Sequence, residues 1–88
     1  MSRQRLARFR VTARVERLAT FTNARHLQTP VVYLMDIECQ GTKMQDQRML
    51  AGVWSEELRA GDRFEFVAAI IDGRIKRPRH VQMLQVAR

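Results

Sequence analysis

The stretch Trp54–Pro78, WSEELRAGDRFEFVAAIIDGRIKRP, decides how the chain is read. Its start predicts a helical turn over Trp54 to Arg59. Ser55 is placed as N-cap, with Glu56 and Glu57 in the first turn, where negative charge is favoured. Gly61 ends the turn. Asp62 to Ile71 then alternates as a strand, with Phe64, Phe66, Ala68 and Ile70 on one face. Asp72-Gly73 is a strong two-residue hairpin signal, because both residues tolerate positive φ. A further strand runs from about Ile75 to Val86 and opens on the cations Arg74, Lys76, Arg77 and Arg79, with His80 beside them. Pro78 sits near its start, where a missing N–H matters least.

Upstream, Arg8 to Val15 alternates with Phe9, Val11, Ala13 and Val15 on one side and Arg8, Arg10, Thr12 and Arg14 on the other. The strand continues past a bend near Arg17 towards Phe21, since Leu18 breaks the parity as a bulge would. Thr22 to Pro30 reads as a polar loop, and Val31 to Gln40 as a second strand. One face of that strand holds Val31, Tyr33, Met35, Ile37 and Cys39. The other holds Val32, Leu34, Asp36, Glu38 and Gln40 and is taken as outward. Gly41-Thr42-Lys43 turns the chain into a third strand, Met44 to Leu50, polar on one side through Gln45, Gln47 and Met49. The expected class is all-β: five short strands with one short helix between the third and fourth. Residues 1–7 read as a loose basic arm and residues 8–88 as one domain.

The 88 residues carry a net charge of +7, and arginine supplies 14 of the 16 cations. Arginine binds phosphate bidentately and stacks on bases, so the surplus points to a polyanionic partner. Other classes lack their parts. The lone Cys39 excludes an intrachain disulfide and a cysteine zinc site. His26 and His80 have no carboxylate or Cys neighbours at metal spacing, and Asp36 and Glu38 read as a solvated face. No Gly-rich phosphate loop or Ser/His/Asp set is present, so neither catalysis nor a cofactor is expected. The apolar run Val67 to Ile71 is too short to span a bilayer, and a cytoplasmic protein is the expectation.

The run W-x3-L-x2-G-D-x-F-x-F-x-A from Trp54 to Ala68, followed by the hairpin and Arg77-Pro78, resembles small OB-fold single-stranded nucleic-acid-binding modules of bacteria, phages and conjugative elements. The resemblance covers roughly Phe9 to Val86. It implies a five-stranded Greek-key barrel whose ligand face is strands two and three with the flanking loops. It also implies a single-stranded partner, DNA ahead of RNA, held by phosphate contacts and stacked bases. The candidate phosphate contacts are Arg74, Lys76, Arg77, Arg79, Lys43, Arg48 and Arg25. Phe21 could stack on a base or anchor its loop, and Tyr33 could stack or lie in the core. The larger single-strand-binding proteins have a Gly/Pro-rich tail, an acidic tip and more aromatics, so an accessory or mobile-element module fits better. An SH3-like barrel would suit the length, but the helical turn sits more naturally in the OB order. A different function class also fits: a protein–protein adaptor or homodimer docking through outward Val32 and Leu34, its basic surface facing an acidic partner.

Overall fold

A computed structural model of the chain describes residues 7–87. The expected basic arm therefore lies, Ala7 apart, outside the described residues. The elements are β1 (Arg8–Thr22), β2 (Gln28–Cys39), β3 (Thr42–Met44), β4 (Gln47–Leu50), a 3-10 turn (Val53–Glu57), β5 (Arg63–Ile71) and β6 (Arg74–Gln85). All pairings are antiparallel, in the order β3-β2-β1-β5-β6, with β4 also on β2. The all-β expectation holds, but with six strands instead of five. Gln45 and Asp46 leave the ladder and divide the expected third strand into β3 and β4. The sheet does not close on itself, since no backbone ladder joins β4 to β6.

Two bulges decide which residues reach the core. Between Val15 and Arg17, β1 uses one residue more than β2, which is the break expected near Leu18. Between Met35 and Glu38 the extra residue is in β2, and Asp36 there has φ 50°. This second bulge corrects the reading of β2. An unbroken period of two puts Val32 and Leu34 opposite Ile37, but one left-handed residue flips the parity and places all three inside. Val32 and Leu34 are 0% exposed, so the outward apolar patch expected there does not exist.

The core gathers these side chains with Val11, Val15, Met49, Phe64, Phe66 and Ile75. The rings of Phe64 and Phe66 stack at 5.2 Å between centroids, and Trp54 tilts against Phe64 at 6.2 Å. β2 begins earlier than expected. Pro30 pairs with Thr20, and its carbonyl accepts the Ala51 N–H at 2.9 Å. Asp72 (φ 52°) and Gly73 (φ 75°) form the expected hairpin turn. Ser55 is not the N-cap; Gly52 is, and the buried Ser55 hydroxyl donates back to the Gly52 carbonyl at 2.7 Å. No helix is long and apolar enough to cross a membrane among the described residues.

Asp62, 1% exposed, ties three segments together. Its carboxylate accepts the Arg59 N–H at 2.9 Å and the Ala87 N–H at 2.7 Å, and its carbonyl accepts the Val15 N–H at 2.8 Å. Asp62→Ala removes both carboxylate bonds and leaves their donors short of partners. The expected loss is about 2–4 kcal/mol, read from urea unfolding. A loss below about 0.5 kcal/mol would show that the carboxylate does not hold the C-terminal end.

Candidate functional site

The register of β1, β2 and β4 lays out a face rung by rung. Arg17, Tyr33 and Arg48 lie opposite one another, then Ala19, Val31 and Leu50, then Phe21 and Thr29. Apart from Val31, which is buried, these residues lie on the face away from the core, because the β1 bulge has switched parity and because Val32 and Met49 point into the core. A groove of about 790 Å³ runs between this face and the β5–β6 hairpin. Its apolar wall includes Phe21 (49% exposed), Leu50 (62%) and Ile71 (42%), three exposed large apolar side chains brought together in one groove. Arg48, Arg74, Lys76 and Arg77 line the same groove, with Pro78 at its end. Exposed apolar side chains and cations thus share one concavity.

The Gln47 side chain bonds across the seam between β4 and β6. Gln47 Oε1 accepts the Ile75 N–H at 2.8 Å, and Nε2 donates to the Gly73 carbonyl at 3.0 Å. The amide stands in for a peptide group where the backbone ladder is missing.

β6 is bulged twice in its basic half. Opposite Val67 to Ala69 it runs from Arg79 to Lys76, one residue longer, and the same happens between Arg79 and Gln82. Arg77 and His80 both take φ 54°, a left-handed conformation that costs non-glycine residues of order 1 kcal/mol. Bulges re-aim side chains and raise local twist, so neighbouring cations do not simply alternate between two faces.

Tyr33 is neither core nor bare platform. The Arg17 guanidinium lies 3.7 Å from its ring centroid, a cation–π contact. Hydrogen bonding from the Arg48 side chain draws the Tyr33 phenol below its ordinary value, and the charges of Arg17 and Arg48 add to this, while partial burial works against it. Tyr33 is the only tyrosine, so its ionisation can be followed by ultraviolet absorbance. Arg48→Met is expected to move that titration to higher pH, because the phenolate loses the largest of the interactions that favour it. An unchanged titration would separate Arg48 from the hydroxyl.

Of the residues picked from the sequence, the groove unites Phe21, Arg48, Arg74, Lys76 and Arg77. The other four lie elsewhere. Tyr33 is one rung away beneath Arg17, and Arg79 is exposed opposite Val67. Arg25 is exposed on a turn shaped by the Asn23 side chain, whose oxygen accepts the Arg25 and Leu27 N–H groups at 2.8 and 3.1 Å. Lys43 sits opposite Glu38 in a separate depression with Arg14, Asp36 and Arg63, where two carboxylates lie among three cations. Sequence reasoning missed Leu50, Ile71 and Arg17. Ile71 immediately precedes the hairpin turn, which was the available signal for it. Arg17 becomes a ring partner only because of the bulge.

Compared with protein-family models, with curated proteins and with solved structures, the chain finds no match in any of the three.

Proposed function

We propose that the protein is a non-enzymatic OB-type module that holds single-stranded nucleic acid, DNA before RNA, in the groove between β4 and the β5–β6 hairpin. One observation carries the reading: exposed Phe21, Leu50 and Ile71 share a concavity with Arg48, Arg74, Lys76 and Arg77. Non-specific strand binders combine these two features, apolar and aromatic surface under the bases and a cationic lining along the backbone. The strand order supports the fold assignment. With β3 and β4 taken as one interrupted strand, the order third-second-first-fourth-fifth is that of an OB barrel opened between its third and fifth strands. The Gln47 amide lies along that opening. The groove then falls on the strands and loops where OB folds take oligonucleotides.

Recognition would be weakly selective for sequence, since the groove offers guanidinium and ammonium groups and few fixed polar groups for base edges. The test is fluorescence anisotropy with a labelled mixed-sequence strand of ~20 nucleotides, within the range of one or two OB footprints, with the matching duplex as competitor. The expected result is saturable binding that the duplex competes for poorly and that weakens with salt. Equal binding of duplex and single strand, or no binding at low salt, would overturn the proposal.

A further inference from the structure

The groove accounts for only part of the cationic surface. Lys76 and Arg77 line it, and Lys76 also lies opposite Ala69 on the outward face shared by β1, β5 and β6. On that face Arg8 lies opposite Ala69, which lies opposite Lys76. One rung on, Arg10 lies opposite Val67, which lies opposite Arg79. Arg8, Arg10, Lys76, Arg77 and Arg79 are all exposed. Ala69, small and 1% exposed, lies between Arg8 and β6, and Arg8 Nη1 reaches the Arg77 carbonyl at 3.4 Å. Against these five cations the same face offers one ion-pair partner among the described residues, Glu65, at 3.5 Å from Arg10. A cluster of like charge this uneven repels itself until a polyanion covers it.

We infer that a bound single strand does not end in the groove but continues around the bulged start of β6 onto this outer face, where Arg79, Arg10 and Arg8 take further phosphates. The inference rests on the groove reading above. The shared cations Lys76 and Arg77 make the two surfaces one track, and the bulges at Arg77 and His80 carry it over the edge of the sheet. From β6 across β5 to β1 is two strand spacings, about 10 Å, so neighbouring phosphates of one extended strand can reach both β6 and β1.

The test compares a strand of ~6 nucleotides, near the lower end of OB footprints and long enough for the groove alone, with one of ~20 nucleotides. The wild-type protein is expected to show a log–log salt slope steeper by about 2 on the longer strand, from three extra phosphates. Arg8→Gln with Arg10→Gln is expected to weaken the longer strand about 25-fold at 0.1 M salt and to change the shorter strand less than twofold. Arg8→Lys with Arg10→Lys should keep the wild-type slope, and urea midpoints confirm that both variants fold. Equal effects on both lengths, or none on either, overturn the wrap and leave the groove standing. If the wild-type protein binds neither length, the groove reading fails first and the wrap fails with it.

Discussion

Glutamine at Arg74, Lys76 and Arg77 together is expected to weaken single-strand binding about 100-fold at 0.1 M salt. The reasoning is electrostatic. Each phosphate neutralised on a single strand releases about 0.7 counterion, which at 0.1 M salt is worth about fivefold in affinity. Three such contacts multiply to about 100-fold and flatten the log–log salt slope by about 2. All three side chains are exposed and line one groove, and none has a carboxylate within ion-pair distance among the described residues. Their removal should therefore leave the urea midpoint nearly unchanged, as surface substitutions usually do. Lys43→Gln is the internal comparison, because Lys43 lies outside the groove and opposite Glu38. It should weaken binding less than threefold. A triple variant that binds as tightly as the wild type, with the same slope, would remove the groove from contention.

Leu34→Ala is expected to destabilise the fold by about 3–4 kcal/mol, a large share of the stability of a domain this small. Leu34 is fully buried among Val15, Val32, Phe64 and Phe66, all likewise buried, and truncation leaves a cavity that a sheet with fixed strand spacing fills poorly. The measurement is a urea midpoint at unchanged slope. It also decides between two readings of β2. An outward Leu34 would cost less than about 0.5 kcal/mol and would serve as a docking residue. A large loss, together with an unchanged salt slope of binding in the folded fraction, places Leu34 in the core and outside any interface.

The legible part of this chain was where period and turn chemistry agree. Phe64 and Phe66 alternate cleanly into the core, Asp72-Gly73 turns where it should, and the cations after that turn are exposed. The face of β2 was not legible, because Asp36 is a bulge residue without glycine to announce it. Nothing local distinguishes it from the solvated carboxylate it also is, paired with Arg14 at 3.6 Å. The split of the third strand was hidden for a related reason. Gln45 and Gln47 both read as the polar side of one continuous strand, although Gln47 bonds across to β6. The candidate site was half legible. Charge and loop position gave five of the groove's residues, Phe21 among them, but the rest of its apolar wall, Leu50 and Ile71, ends β4 and β5 and carries no charge or motif to single it out.

One consequence of the β4–β6 seam concerns the gauge of the groove. Where strands are laddered, their separation is fixed near 4.8 Å by peptide geometry. Across this seam it is set by the reach of the Gln47 side chain, since among the described residues its amide makes the hydrogen bonds between β4 and the Gly73–Ile75 segment and no backbone ladder does. The two walls carrying Arg48 and Arg74 are thus spaced by a residue and not by a sheet. An asparagine at position 47 is one methylene too short to make both bonds at the present width. The channel would have to narrow or the tie would have to break. Bore is therefore an inheritable variable of this architecture, adjustable at one side chain while every laddered pair of strands keeps its register.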